Sequence, residues 1–260
     1  MKEIITIANQ KGGVGKTTTA VNLATFLALA EKDVLLIDLD SQANATASLG
    51  FYKNDYKYNI YHSLTGVKEI NKIILNTTIK NLDLIPSNID LVAFEKSIDI
   101  TNKEFILKKL LNQLHKKYDF IIIDTSPRLD LLTLNALSVS DSVIIPMQTE
   151  FFALEGVSQL LNTIKLVKSS KNSKLTLKGI IPTMYSSQNN LSKQVLSDLV
   201  RHFKNKIFLD PDSETKRFLV IPRNVRLAEA PSFGKPVALY DIKSKGAIAY
   251  QKLAKIVLNR

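Results

Sequence analysis

The 260-residue sequence contains no cysteine, which excludes disulfides, thiolate metal sites and cysteine-held iron–sulfur clusters. It also lacks any apolar run close to the roughly 18 residues that signal a membrane span. The N-terminal stretch "MKEIITIANQ" is too short and too polar-flanked for a signal peptide. These absences predict a cytoplasmic protein that does not insert into membranes.

Acidic residues are scarce in the last 110 positions. Residues 151–260 hold 19 Lys and Arg but only 7 Asp and Glu, whereas residues 1–150 hold 16 and 17. The formal net charge of +11 therefore belongs to the C-terminal part of the chain. A well-solvated surface would explain a mild excess of this kind. An excess this one-sided favours a face that binds a polyanion.

Short apolar runs alternate with helical patterns along most of the chain. The runs typical of buried parallel strands are 4–8, 33–38, 82–86, 119–124, 142–147 and 177–184. Apolar residues spaced three and four apart predict helices at 17–30, 105–117, 155–168, 191–203 and 245–258. The alternation predicts an α/β fold, with a doubly wound, mostly parallel sheet and helices on both faces.

No repeat or low-complexity linker divides the sequence, so we expect residues 1–260 to form a single domain. The polar segment "LDPDSETKRF" at 209–218 is rich in turn residues and predicts a surface insertion or hairpin. Ligands of doubly wound sheets bind beyond the carboxyl ends of the strands. Three motifs fall at such ends: "QKGGVGKTT" after the first strand, "DLDSQANAT" after the second and "DTSPRLD" after the fourth.

The first of these motifs predicts a phosphate-binding loop that leads into a helix. Its glycines allow successive backbone N–H groups to turn inward around a phosphate at the helix N-terminus. Lys16 then supplies a charge for the β- and γ-phosphates, Thr17 a hydroxyl for Mg²⁺ and Thr18 a further phosphate contact. The predicted ATP-binding residues here are Gly12, Gly13, Val14, Gly15, Lys16, Thr17 and Thr18.

One lysine departs from the usual GxxxxGK pattern. A glycine would be needed at position 10, but the sequence has Gln10 followed by Lys11. The string KGGVGKTT resembles the deviant phosphate-loop ATPases, a family that includes ParA partition proteins and MinD. The resemblance implies that Lys11 reaches across an ATP-bound dimer to the nucleotide of the partner subunit. Such a cation, supplied in trans, neutralises charge on the transferring phosphoryl group. An exposed loop cation is the alternative.

Three carboxylates at predicted strand ends complete the expected site. Asp38 and Asp40 lie at alternate positions and therefore point the same way. The resemblance implies that Asp40 orients the attacking water. It also implies that Asp124 holds Mg²⁺ through water, and Asp38 is expected to support the metal shell or the loop. Lys11, Lys16 and Asp40 are thus the predicted catalytic residues.

Several longer stretches are similar to the chromosomal ParA/Soj family. They include "ANQKGGVGKTTTAVNLA", "LLTLNAL", "FFALEGVSQLLNTI" and "VIPRNVRLAEAPSFGKPVALYD", and together they cover nearly the whole chain. The resemblance implies a slow, Mg²⁺-dependent ATPase whose ATP-bound homodimer binds double-stranded DNA without sequence specificity. A ParB-type centromere-binding partner would stimulate hydrolysis and release the DNA. Because the first strand starts at once, no separate N-terminal operator-binding domain is expected.

The basic part of the chain supplies candidate DNA contacts, mainly between residues 190 and 250. They are Arg223 and Arg226 first, with Lys193, Lys243 and Lys245 behind them. Arg201, Lys204, Lys216 and Arg217 are weaker candidates. Any one of these could equally be an ordinary solvated cation. The resemblance also implies that Pro222 and Asn224 line the adenine pocket.

Two other functions remain open from the sequence. A MinD-like division-site ATPase would attach to membranes through a C-terminal amphipathic helix. The end of this chain instead suits packing on the sheet, through Ile248, Leu253, Ile256 and Val257. A metabolic phosphate-loop enzyme, such as a dethiobiotin-synthetase-like ligase, would have no use for Lys11 or for a basic face.

Several positions depart from the family pattern. Ser41 and Ala43 replace the proline and glycine of DPQGNAT, and Ser126 replaces the first proline of DxPP. Arg128 and Asp130 stand where the family has small or uncharged residues. Loss of two prolines is expected to loosen the loops near the γ-phosphate.

Overall fold

The computed structural model describes residues 3–94, 103–150 and 153–259. Across these residues the strands form one seven-stranded sheet. Their bounds are β1 (Glu3–Ile7), β2 (Val34–Leu39), β3 (Leu75–Asn76), β4 (Leu82–Ile85), β5 (Phe120–Thr125), β6 (Ser142–Gln148) and β7 (Thr176–Thr183). Six of the seven were predicted. β3 was not, because two residues are too few to show a hydrophobic period.

The sheet order places the three predicted motifs side by side. The order is β3-β4-β2-β5-β1-β6-β7, and every pair is parallel except β3 with β4. β5 lies between β1 and β2, with Asp124 opposite both Ile7 and Asp38 in register. The carboxyl ends of β1, β2 and β5 therefore meet at one edge, which confirms the predicted fold class.

The helices of the described residues surround this sheet. They are α1 (Lys16–Leu29), α2 (Asn44–Ser48), α3 (Ile60–Leu64), α4 (Ile106–Leu111), α5 (Leu131–Val139), α6 (Ala153–Ser170), α7 (Asn190–Phe203), α8 (Val225–Glu229), α9 (Val237–Tyr240) and α10 (Lys245–Leu258). Short 3-10 turns occupy Ile70–Lys72, Ile89–Ala93, Lys103–Phe105, Lys204–Lys206 and Ala230–Phe233. In the part of the chain that the structure describes, no helix has the length and apolar character needed to cross a bilayer.

One predicted helix is shorter than expected. The helix predicted at 105–117 ends at Leu111. After Leu111, two backbone groups form hydrogen bonds with the side chain of Asn71. The amide of Asn71 donates to the carbonyl of Gln113 at 2.8 Å, and its oxygen accepts the His115 N–H at 2.9 Å. These tertiary hydrogen bonds replace the helical ones that the periodicity predicted.

The two faces of the sheet each bury a separate layer of side chains. Neighbouring residues of β2 divide between them, with Leu36 packed in the cluster that contains α1 and Leu35 in the cluster that contains α4 and α5. A third cluster joins β6 and β7 to α6 and α7. Strands buried on both faces explain the unbroken apolar runs in the sequence.

The C-terminal helix α10 packs against α1, and its buried residues belong to the cluster that also contains side chains of the sheet. Leu253 and Val257 are buried in the same cluster as α1, whereas Ile248 is 43% exposed. The buried hydroxyl of Tyr250 lies 3.1 Å from that of Thr19 and links the two helices.

The predicted surface hairpin at 209–218 is confirmed. Leu209 and Phe218 form an antiparallel bridge, and the Asp210 N–H donates to the Arg217 carbonyl at 2.7 Å. Lys252 of α10 holds the hairpin through the carboxylate of Asp210 at 2.8 Å.

The fold depends on a close approach at Gly179 in β7. A Cβ at this position would lie 2.6 Å from the ring of Phe208, which is fully buried. We expect Gly179→Ala to lower the free energy of unfolding by about 1–3 kcal/mol through overpacking. Urea denaturation measures this change.

Gly156→Ala in α6 is the matched control. Its added Cβ would meet no atom closer than 4.0 Å, so the better helix propensity of alanine should raise stability by up to ~1 kcal/mol. Equal effects of the two substitutions would contradict the packing argument.

Candidate nucleotide site

A cavity of about 610 Å³ lies at the carboxyl ends of β1, β2 and β5. Its walls come from the glycine loop, from the loops after β2 and β5, and from the 3-10 turn at Ile89–Ala93. The lining residues are Gly12, Gly13, Gly15, Lys16, Thr17, Thr18, Asp40, Ser41, Gln42, Asn44, Leu91, Val92, Ser126, Pro127, Arg128, Asp130, Leu132 and Met184. Residues from all three predicted motifs thus meet in one cavity.

The glycine loop has the backbone conformation that its sequence predicts. Gly13 and Gly15 have φ values of 73° and 88°, in the left-handed region that favours glycine. Gly15 precedes the first turn of α1, where no side chain caps the free N–H groups. Those N–H groups are therefore available to an anion.

Val14 is the loop residue that turns away from the cavity. It is 1% exposed, and its carbonyl accepts a 2.8 Å hydrogen bond from the Thr183 hydroxyl. This contact ties the loop to the end of β7. A role for Val14 toward nucleotide would therefore involve its backbone rather than its side chain.

Lys16 begins α1 and lies on the cavity wall with 6% of its surface exposed. Its ammonium donates to the Lys11 carbonyl at 3.0 Å. Burial lowers the pKa of Lys16, although the charges of Asp124 and Asp40 oppose this shift. The side chain is thus a desolvated cation beside two carboxylates.

Thr17, which lines the cavity, is bonded to the buried Asp124. The Thr17 hydroxyl donates to Oδ2 of Asp124 at 2.7 Å. Oδ1 of Asp124 is buried and has no hydrogen-bond partner among the described residues. Burial, with the neighbouring charge of Asp38, raises the pKa of Asp124 well above its ordinary value.

An unpartnered carboxylate oxygen beside a threonine hydroxyl fits Mg²⁺. This cation usually takes one or two protein oxygens and fills its remaining positions with water and phosphate. In the described residues, no group of three or more acidic or histidine side chains could hold a metal without such help. The arrangement therefore suits a metal that arrives with a phosphate ligand.

Asp38 is buried and organises the loop after β2. Its Oδ1 accepts the Asp40 N–H at 3.1 Å, and its Oδ2 accepts both the N–H and the hydroxyl of Thr46 at 2.9 and 2.8 Å. Burial raises its pKa to about 6 despite these bonds. Of the two predicted roles for Asp38, its contacts favour support of the loop over support of the metal.

Asp40 faces the cavity and is 8% exposed. Oδ1 accepts the Gln42 N–H at 3.0 Å, while none of the described residues bonds to Oδ2. This oxygen is therefore open toward the cavity.

Lys11 does not line the cavity of its own chain. Its ammonium pairs with Glu150 at 3.0 Å, and the amide of Gln148 holds the other carboxylate oxygen of Glu150. Both charged side chains are about two-fifths exposed. The backbone N–H of Lys11 is fixed by the side chain of Asn9 at 3.0 Å. Lys11 is thus positioned at the surface beside the loop.

The loop after β5 is closed by the residues that depart from the family pattern. The Ser126 hydroxyl donates to Oδ2 of Asp130 at 3.2 Å and accepts the Arg128 N–H at 3.3 Å. Asp130 also caps α5 by accepting the Thr133 N–H at 2.9 Å. Side-chain hydrogen bonds thus supply constraints where a proline is missing; the predicted loosening stays a prediction.

Pro222 and Asn224 are not among the residues that line the cavity. Asn224 caps α8 by accepting the Leu227 N–H at 3.3 Å, and Pro222 pairs with Tyr185 in an isolated bridge. Their predicted adenine contacts stay a prediction. Arg223, between them, lines a second cavity of about 290 Å³ together with Glu150 and Met184.

The predicted DNA contacts occupy exposed positions. Arg223, Lys193, Lys243 and Lys245 have no ion pair with the described residues. Arg226 differs, because it pairs with Glu229 at 3.0 Å and with Asp241 at 3.4 Å. An anion that binds Arg226 must compete with two carboxylates.

Some residues of the site were missed in the sequence. Asn9, Thr183 and Glu150 hold the glycine loop and its extra lysine through contacts that span up to 169 positions. The position of Asn9 directly before the motif was the one local signal. Met184, with a φ of 51°, lies between the two cavities and has no sequence signal at all.

Comparisons with known proteins agree with this geometry. A family model described as an AAA domain matches residues 2–177. The chain is 48% identical to the sporulation initiation inhibitor protein Soj of Bacillus subtilis, over 99% of this chain and 98% of that protein. It is 46% identical to the chromosome partitioning protein ParA of Myxococcus xanthus, over 99% of this chain and 88% of that protein.

A solved structure gives the same fold. The cobyrinic acid a,c-diamide synthase of Mycobacterium smegmatis, crystallised with an ATP analogue and magnesium, aligns with a TM-score of 0.84 and 35% identity. The alignment covers 100% of this chain and 95% of that one. Because it is 48% and 46% identical to Soj and ParA over 99% of its length, the chain belongs to the ParA/Soj family of deviant phosphate-loop ATPases.

Proposed function

We propose that this protein is an ATP-dependent DNA-partitioning ATPase, with residues 1–260 as one ATPase domain. The observation that carries the proposal is the arrangement of cations and carboxylates around one cavity. Lys16, Thr17 and Asp40 line it, Asp124 is bonded to Thr17 from a buried position, and Lys11 lies outside, bonded to Glu150. The named functions of Soj and ParA relatives support a role in partitioning.

The residues divide the work of phosphoryl transfer to water. The loop N–H groups and Lys16 bind the β- and γ-phosphates of ATP, and their charge stabilises the phosphoryl group in transit. Thr17 and Asp124 would hold Mg²⁺, which would neutralise phosphate charge. Asp40 presents its open Oδ2 to the attacking water and orients it toward the γ-phosphorus.

Lys11 couples hydrolysis to assembly. In the single subunit its ammonium is engaged by Glu150 and does not line the cavity. The ion pair is partly exposed, and such pairs contribute only about 0–1 kcal/mol to stability. Lys11 can therefore leave Glu150 and bind a phosphate at a small cost in free energy. In an ATP-bound homodimer, Lys11 of each subunit would approach the phosphates of the other and complete both sites.

The basic face between residues 190 and 250 binds double-stranded DNA of the nucleoid. Its cations are exposed on α7, beside α8 and at the start of α10. Lysine and arginine side chains on phosphates release counterions and read no bases, so binding is nonspecific and falls steeply with salt. A ParB-type partner then stimulates slow hydrolysis, which separates the dimer and frees the DNA.

A second candidate function is suggested by the synthase name of the Mycobacterium structure. An enzyme of that kind would act on an organic acid and would need neither Lys11 nor DNA. A MinD-like membrane ATPase is the remaining alternative. Co-sedimentation with plasmid DNA and with anionic liposomes, with and without ATP, separates these functions. Binding to liposomes but not to DNA would contradict our proposal.

The nucleotide site generates a set of three variants. Lys16→Ala should weaken ATP binding by roughly a hundredfold, because a charge-assisted phosphate contact is lost. Asp40→Ala should bind ATP but hydrolyse it very slowly, so the ATP-bound dimer should remain on the DNA. Lys11→Ala should bind ATP as a monomer. Nucleotide titration, light scattering and DNA co-sedimentation measure these three states.

The same set contains its own controls. ATP binding by Lys11→Ala would show that loss of a lysine near the loop does not by itself prevent nucleotide binding. An Asp40→Ala protein that remains monomeric with ATP would contradict the proposed dimer.

The basic face generates a prediction on salt dependence. The logarithm of DNA affinity falls linearly with that of salt concentration, with a slope near −0.9 for each phosphate neutralised. Arg223→Ala should therefore make the slope shallower by about 1, and a Lys243→Ala, Lys245→Ala double variant by about 2. Fluorescence anisotropy with a labelled duplex, in the presence of ATP, measures the slope.

Lys109→Ala in α4 is the control for this experiment. Lys109 is exposed but belongs to the charge-balanced part of the chain, so its loss should leave the slope unchanged. Arg226→Ala is a poorer test because it also breaks ion pairs with Glu229 and Asp241. Equal slopes for all variants would mean that the DNA face lies elsewhere.

A further inference from the structure

Arg128 is a cation on the cavity wall that the proposed mechanism does not use. It lies four residues after Asp124 and lines the cavity together with Gly12, Gly13 and Lys16. Its position at the end of β5 is on the side of the cavity where the metal-binding aspartate lies.

The backbone of Arg128 is held on both sides. Its N–H donates to the Ser126 hydroxyl at 3.3 Å, and its carbonyl accepts the Thr133 hydroxyl at 2.6 Å. Asp130 braces the same turn by capping α5 and by accepting the Ser126 hydroxyl. The side chain therefore starts from a fixed point beside the cavity, which lowers the entropy lost when it binds an anion.

The guanidinium of Arg128 is available for such a contact. Within the described residues, its hydrogen bonds involve the backbone alone, and no carboxylate pairs with the side chain. Asp130, the closest acid in sequence, already accepts bonds from Thr133 and Ser126. Lys11 and Arg226, by contrast, are both engaged in ion pairs.

The charge of the cavity explains why a second cation is useful. Of the described residues that line it, Lys16 and Arg128 are the lysine and arginine, and Asp40 and Asp130 are the acids. Asp38 and Asp124 lie buried behind them. A triphosphate brings further negative charge into this acidic surrounding. A planar guanidinium can donate two parallel hydrogen bonds to a pair of phosphate oxygens, a fixed fork geometry that an ammonium lacks.

We propose that Arg128 contacts the terminal phosphate of ATP within its own subunit and makes the single subunit prefer the triphosphate over the diphosphate. The inference rests on the proposed function, since it assumes that the cavity binds ATP. Lys11 contacts the nucleotide of the partner and so acts only in the dimer, whereas Arg128 contacts the nucleotide of its own subunit and can act in the monomer. It lets a subunit select ATP before it meets its partner.

The test measures two affinities in each of several variants. Displacement of a fluorescent ADP by unlabelled ADP and by AMPPNP, with Mg²⁺ present, gives both dissociation constants. The measurements are made in the otherwise unchanged chain and in a Lys11→Ala background, which removes any contribution from the partner's lysine. Arg128→Ser, Arg128→Lys and Leu129→Ala are compared; Leu129 is a partly exposed neighbour that does not line the cavity.

We expect Arg128→Ser to weaken AMPPNP binding by about tenfold or more in both backgrounds and to leave ADP binding nearly unchanged. Arg128→Lys should be intermediate, and Leu129→Ala should match the parent. ADP affinity serves as the check on folding in every variant.

Three results would overturn the inference while the proposed function stands. They are equal weakening of ADP and AMPPNP, no change in either, and a loss confined to the background with Lys11 intact, which would indicate a contact across the dimer. If the parent protein binds neither nucleotide, the proposed function itself fails, and the inference fails with it.

Discussion

The parallel pairing of β5 with both β1 and β2 is the constraint on which the site depends. It sets Asp124 beside Ile7 and Asp38 in register, so the glycine loop and two acidic loops leave the sheet at the same edge. The sheet also buries both carboxylates, and burial raises the pKa of each; the charge of Asp40 adds to the shift of Asp38, and the charge of Asp38 adds to that of Asp124. Asp38 is compensated by hydrogen bonds from its own loop, whereas Asp124 keeps one oxygen without a partner.

The negative charge that remains without hydrogen bonds on Asp124 favours cations at the cavity. Lys16 is held within it by burial and by one carbonyl, and Arg128 stands on its wall. Lys11, only five positions before Lys16, is directed to Glu150 outside. Lys16 and Arg128 thus lie at the cavity that we propose binds nucleotide, whereas Lys11 lies outside it. On the surface, the exposed cations of the basic face create a positive potential that favours binding of a polyanion.

Much of the fold followed from local patterns. Six strands were predicted because strands buried on both faces read as unbroken apolar runs. Short elements such as β3, α2 and α8 were missed, because two to five residues carry no measurable period. The helix predicted at 105–117 was too long because Asn71, distant in sequence, takes over its hydrogen bonds.

The sequence by itself determined the phosphate loop, since glycines and a lysine at fixed spacing have few other uses, and it determined the one-sided charge of the chain. Only the tertiary structure decided that Asp38 is engaged by its own loop, that Lys11 pairs with Glu150, and that Arg128 reaches the cavity. The physical reason is that the spacing of a motif fixes local backbone geometry. The partner of a charged side chain, in contrast, depends on which distant segments the sheet order brings beside it.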